Sequence, residues 1–322
     1  MKLSVLTVPL QHQPAREAFA YLHSLGVTQV ELGTGGYTNQ NHCDPDILLH
    51  DDGKLRELQA ALAENELTIS ALSCHGNPVH PDKAIAAEYH RVYVNTCQLA
   101  QKLGVDTVVT FSGCPGDSPD SHYPNWVTCG WPTDFTKILD YQWNEVLIPY
   151  WKEAAKIAES YGVKKIAFEM HPGFCVYNPA SLLRLREAVG PIIGANFDPS
   201  HLIWQGMNPV EAIKALKGAV YHFHAKDTRV DAHNKAVNGV LDTQNLDDLM
   251  NRTWYFRTVG YGSDDALWKD MMSALQLIGY DGAVSIEHED GLMSVKEGLE
   301  KAIAFMKDVM ITEKPADMWW TD

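Results

Sequence analysis

The six cysteines, at positions 43, 74, 97, 114, 129 and 175, include no CxxC pair. That argues against both a zinc ribbon and a disulfide framework, and for reduced thiols in a reducing compartment. No block of lysine or arginine occurs: 26 Lys plus Arg face 41 Asp plus Glu, for a formal charge of −15. Phosphate backbones and anionic membranes are held by clustered cations, so neither nucleic acid nor a membrane surface is an expected partner. No apolar run approaches the ~18 residues that cross a bilayer. The start, Met1 to Pro9, has no signal-peptide layout and alternates like a first strand. A cytoplasmic protein is expected. No strand-like segment leads into a GxGxxG turn, which weakens a doubly wound open sheet.

What is present is a regular alternation of strand and helix patterns. Strands are predicted at 3–8, 29–33, 67–74, 107–112, 165–171, 193–199, 219–227 and 283–288. Helices are predicted at 14–25, 53–65, 82–103, 141–161, 180–189, 209–216, 264–278 and 294–306. Eight of each in alternation predict an α/β fold, a (β/α)8 TIM barrel, in one domain over residues 1–322. Two insertions interrupt it, giving long loops after strands four (114–140) and seven (228–262). Insertions of that size are usually functional.

Strands five to eight share a form: a short apolar run that stops on a metal-type side chain. They end at Glu169, Asp198, His224 and Glu287. The C-terminal strand ends carry the active site in such barrels. A strand-ending carboxylate is often a helix cap, and Asp198 before Pro199 could be one. Four in succession point instead to one metal site. Three carboxylates and one imidazole suit Mn²⁺, Mg²⁺ or Co²⁺ better than thiolate-bound zinc. Glu169 and Glu287 would flank a substrate. One could remove a proton beside a carbonyl while the metal stabilises the enediolate.

Around this set, His171 lies two residues past Glu169 and is a candidate further base. His201 could bind a substrate hydroxyl, and Lys226 and Arg229 could steady a developing enolate. His222 could equally be packed inside the barrel. His75 could line the pocket, although loop histidines are usually solvated. Trp131 and Trp126, in a Pro/Gly loop, are candidate sugar-stacking faces. Gly260, Gly262 and Gly291 precede helices where a phosphate could sit, but Asp264, Asp265, Glu289 and Asp290 crowd those places. An unphosphorylated substrate follows.

The segments Phe168-Glu169-Met170-His171-Pro172, Asn196-Phe197-Asp198-Pro199-Ser200-His201, His222-Phe223-His224-Ala225-Lys226-Asp227 and Ser285-Ile286-Glu287-His288-Glu289 resemble the sugar phosphate isomerase/epimerase family with a xylose isomerase-like barrel. The resemblance covers nearly the whole chain. It implies Glu169, Asp198, His224 and Glu287 as ligands, usually of Mn²⁺. It also implies Glu169 and Glu287 as an acid/base pair, with His201 and Arg229 touching substrate. Relatives of that type include ketose 3-epimerases, inosose dehydratases and the large subunits of C-glycoside deglycosidases. Two activities therefore stay open: isomerisation or epimerisation of a keto-sugar or inosose, and elimination from a 3-keto-glycoside or inosose. A non-catalytic sugar-binding barrel is a third alternative. A homo-oligomer is expected, and the deglycosidase likeness leaves room for a small partner subunit.

Overall fold

The fold is that of a computed structural model, which describes residues 1–313, 317, 318 and 320. The strands are β1 (Lys2–Leu6), β2 (Gln29–Gly33), β3 (Thr68–Ser73), β4 (Thr107–Thr110), β5 (Lys165–Glu169), β6 (Ile193–Phe197), β7 (Val220–Ala225), β8 (Asp227–Val230), β9 (Trp254–Arg257) and β10 (Ala283–Ile286). Eight of them close a parallel barrel in the order β1-β10-β7-β6-β5-β4-β3-β2, and β8 and β9 form a separate antiparallel pair. The chain is a (β/α)8 barrel. Around the sheet run α1 (Ala15–Ser24), α2 (Pro45–Leu48), α3 (Asp52–Glu64), α4 (Lys83–Leu103), α5 (Asp134–Asp140), α6 (Ile148–Ser160), α7 (Pro179–Val189), α8 (Pro199–Trp204), α9 (Pro209–Ala215), α10 (Ala232–Asn238), α11 (Asp265–Leu277) and α12 (Val295–Val309).

Strand alternation sorts side chains into two compartments. Ile166, Phe168, Phe197, Phe223, Val284 and Ile286 face outward into the main core under the helices. Ala71, Val109 and Ala167 pack in a small separate cluster inside the barrel. The other buried interior positions are polar: Glu31, Ser73, Glu169, Asn196, His222, His224 and Ser285. An aliphatic barrel floor would have needed only hydrophobic residues, so this polar layer is the first sign of a site. No helix among the described residues is long and apolar enough to cross a membrane.

Both insertions carry more order than the sequence suggested. The helix expected from Tyr141 begins at Asp134, and α5 joins α6 through a π-helical stretch, Tyr141–Leu147. From that stretch Gln142 donates to the carbonyls of Pro115, Gly116 and Asn125, pinning the first insertion. Strand seven was expected to reach Asp227, but β7 stops at Ala225 and Asp227 opens β8. The reason is local. Asp227 Oδ2 accepts from the backbone N–H groups of Gly260 (3.0 Å), Gly262 (3.1 Å) and Ser263 (3.0 Å) and from Trp268 Nε1 (3.1 Å). The chain turns out of the barrel to make these bonds. At Gly260 a φ of 85° and the nearby Phe305 ring leave no place for a side chain.

Candidate active site

At the C-terminal mouth, β5 ends on Glu169, and Asp198, His224 and Glu287 arrive from β6, β7 and β10. One ligand-type atom from each lies within 4.8 Å of the others. Asp198 combines the two roles weighed for it. Its Oδ1 caps α8 by accepting from Ser200 N (2.8 Å), while its buried Oδ2 has no hydrogen-bond partner. His224 is divided in the same way. Its Nε2 lies 2.9 Å from both oxygens of Glu31. Its buried Nδ1 lies 3.1 Å from Glu287 Oε2 and 3.2 Å from Glu169 Oε2, yet makes an acceptable hydrogen bond with neither. Buried polar atoms are nearly always paired. A buried imidazole nitrogen without a hydrogen bond, set among three carboxylates, is what a cation would satisfy, and a donor set rich in oxygen with one imidazole suits a divalent ion.

Cations of the chain occupy the flank. Lys226, buried, reaches Glu287 Oε2 (3.0 Å), Glu289 Oε2 (3.0 Å) and Asp198 Oδ2 (3.4 Å). Burial opposes its charge, but Glu287, Glu289 and Asp198 hold its pKa well above the usual lysine range. His201 Nε2 lies 3.1 Å from Glu169 Oε1 and 3.2 Å from Asp198 Oδ2. Burial resists its protonation, yet Asp198 chiefly raises its pKa to about 9. Burial likewise pushes up the Asp198 carboxyl, and His201 and Lys226 bring it down to about 2. Glu169 stays ionised against burial because the imidazoles of His201, His224 and His75 surround it.

Several sequence candidates meet here. His171 sits against His201, with ring centroids 4.0 Å apart, and its Nδ1 donates to Pro172 O (2.6 Å). Burial and the neighbouring His201 push its pKa to about 3, so it is neutral and keeps Nε2 as its basic nitrogen. His75 is not a solvated loop histidine: it is buried, and its Nε2 lies 3.0 Å from Glu169 Oε2. Three candidates are not brought to the cluster. Arg229 is exposed and donates to Gly262 O (3.4 Å), while Asp227 and Thr228 before it are buried. Trp131 is 75% exposed on the first insertion. Trp126 packs edge-on against Tyr177 instead of toward the carboxylates.

The aromatic faces beside the cluster belong to other residues. Phe111 contacts His75 (4.5 Å) and His171 (5.0 Å) and stacks on Phe174 (4.2 Å). Phe256 of β9 contacts His201 (5.4 Å) and lies 4.4 Å from Lys226 Nζ. Glu31 was also missed, although a lone glutamate inside the otherwise apolar stretch Val30-Glu31-Leu32 was a readable signal. Five of the six cysteines are buried and Cys129 is exposed, so none is placed among the ligands.

A closed parallel barrel with a carboxylate–imidazole cluster at its strand ends defines a class of metal-capable TIM barrels. Residues 19–309 match the xylose isomerase-like TIM barrel family, and the chain belongs to that family. It is 41% identical over 312 residues to the uncharacterized protein YfiH of Bacillus subtilis, covering 96% of this chain and 99% of that protein. It is 29% identical over 164 residues to an inosose dehydratase of Clostridium botulinum, covering 50% and 52%. Among solved structures, IOLI protein with a bound zinc atom superposes with a TM-score of 0.66 at 20% identity, over 99% of this chain and 100% of that one. A D-tagatose 3-epimerase-like protein gives 0.63 at 20% identity, over 96% and 98%. At such identities the structural likeness is one of fold.

Proposed function

We propose that this protein is a divalent-metal-dependent isomerase or epimerase of an unphosphorylated keto-sugar or inosose. In this reading it removes a proton from the carbon beside a carbonyl. The observation that carries the proposal is the four-residue cluster itself, in which His224 Nδ1 is buried beside Glu169 and Glu287 with no hydrogen-bond partner. Glu169, Asp198, His224 and Glu287 would hold the ion, with Mn²⁺ favoured and Mg²⁺ or Co²⁺ as alternatives. The bound ion supplies Lewis-acid polarisation of the carbonyl and of the neighbouring hydroxyl.

The chain's own groups divide the proton work. Both oxygens of Glu169 are occupied, by His201 on one and by His75 and Asn196 on the other, so it is better placed to ligate than to shuttle protons. Glu287, less buried, and His171 are left as acid/base groups on the β10 and β5 sides. Lys226 balances negative charge as it grows on the substrate oxygen. Phe111, Phe174 and Phe256 present apolar faces against which a sugar ring can lie and water is thinned. The absence of a phosphate on the substrate is supported by Asp227, whose carboxylate already fills the nest of amides from Gly260 to Ser263.

A second reading, dehydration of an inosose or elimination from a 3-keto-glycoside, begins with the same deprotonation. His171, whose Nε2 is left to accept a proton, favours it as a second base beside Glu287, and the inosose dehydratase likeness supports it. The test is NMR in D₂O with ketohexoses, inososes and 3-keto-glycosides, using metal-loaded protein, metal-stripped protein and Glu287→Gln. Metal-dependent deuterium uptake with an epimeric or isomeric product is expected, with a loss of about 10²- to 10⁴-fold in Glu287→Gln. Release of water or an aglycone would move the assignment to the second reading. Turnover unaffected by metal removal would refute both.

A further inference from the structure

Glu31 lies in β2, in the half of the barrel that supplies none of the four candidate ligands, and it is fully buried. No lysine or arginine pairs with it among the described contacts. Its oxygens accept instead from the hydroxyls of Ser73 and Ser285 (2.7 Å for Ser285) and from His224 Nε2 at 2.9 Å. An ionised carboxylate can only accept, so His224 Nε2 must carry the proton. In the neutral ring the lone pair is then on Nδ1, the atom that faces Glu169 and Glu287 without a partner.

A second histidine lies near the same carboxylate without bonding to it. His222 Nε2 lies 3.9 Å from Glu31 Oε2, and His222 Nδ1 lies 2.9 Å from Asn196 Oδ1. Asn196 Nδ2 donates to Glu169 Oε2 (3.2 Å), which fixes its amide with the oxygen toward His222. With its proton given to Asn196, the neutral His222 ring has none on Nε2 for Glu31, and that nitrogen meets the Ser70 hydroxyl (3.4 Å) instead. Of the four candidate ligands, Glu31 therefore holds His224.

We infer that Glu31 is a positioning residue for the metal centre: it sets the tautomer and orientation of His224. This rests on the proposed metal reading. Outer partners of metal-bound histidines raise ligand basicity, and their loss costs about 10- to 100-fold in metal affinity.

The experiment is a titration of the full chain with Mn²⁺, following free Mn²⁺ by EPR, in wild type and Glu31→Gln. The isosteric amide keeps an acceptor but removes the charge. The Kd is expected to rise about 10- to 100-fold in protein whose circular dichroism matches wild type. A merely structural role would lower melting temperature without changing the Kd of the folded fraction, and that result overturns the inference. Wild type that binds no Mn²⁺ would sink the functional reading itself. Wild type that binds, with Glu31→Gln equally tight, sinks only the role of Glu31. Should Glu31→Gln not fold, ¹⁵N spectra of histidine-labelled wild type with Mg²⁺ decide: His224 must be protonated at Nε2, and protonation at Nδ1 contradicts the inference.

Discussion

Lys226 shows how closely the flank of the cluster is balanced. It is buried against Asp198, Glu287 and Glu289, and replacing it by methionine leaves carboxylates in low dielectric without their cation. Breaking a buried ion pair from one side typically costs about 3–5 kcal/mol. Lys226→Met should therefore unfold at clearly lower denaturant when metal-free, and adding a divalent ion should recover part of the loss. His171 gives a prediction in pH. Burial and His201 hold its folded pKa at about 3, while the unfolded chain takes up that proton below about 6.5. Across that window the unfolded state binds more protons, so stability falls as pH falls. Between about pH 6 and 4, metal-stripped His171→Gln should lose stability less steeply than wild type; equal slopes would count against a neutral His171. The four ligand candidates and His171, His201 and Lys226 were legible because each follows an apolar run at a strand end. Phe111 and Phe174 were not, because an aromatic residue at a strand end or in a loop looks the same in sequence whether it walls a site or fills a core.

The elements differ in how openly the sequence declares them. Barrel strands announce themselves as short apolar runs, and α4 by its Asp82 cap and its apolar stripe. α8 was not foreseen, since six residues behind Asp198 are too few to show a period. The β8–β9 pair was hidden for another reason: it depends on Asp227, whose partners are more than thirty residues away. That carboxylate predicts an element-scale effect. Asp227→Asn puts an amide donor among three backbone N–H groups and an indole N–H. Losing one hydrogen bond to a charged group costs about 1.5–3 kcal/mol. Thermal unfolding should show a loss at least that large, and limited proteolysis should cut near residues 258–263 first. Unchanged stability would mean that the nest is held by something other than Asp227.

For the whole molecule, eight strands alternating with eight helices, with no GxGxxG turn to favour a doubly wound sheet, were enough to name the barrel. What the pattern could not give was the inside of the barrel. Glu31 reaches across it from β2 to β7, a contact separated by 193 residues. The molecule thus has an apolar shell and a charged interior mouth, with four carboxylates, Glu169, Asp198, Glu287 and Glu289, set against Lys226 and His201. Such a mouth gains stability from a bound cation. With free metal at about 100 times its Kd, the folded state should be stabilised by about 2.7 kcal/mol, read as a concentration-dependent rise in melting temperature.

The most direct test of the account is anomalous diffraction from crystals grown with Mn²⁺. The account predicts one ion about 2.0–2.4 Å from oxygens of Glu169, Asp198 and Glu287 and from Nδ1 of His224. An ion held instead by Glu169, His171 and His201, which also lie close enough together to bind one, would contradict it. So would crystals in which no manganese peak appears at the barrel mouth.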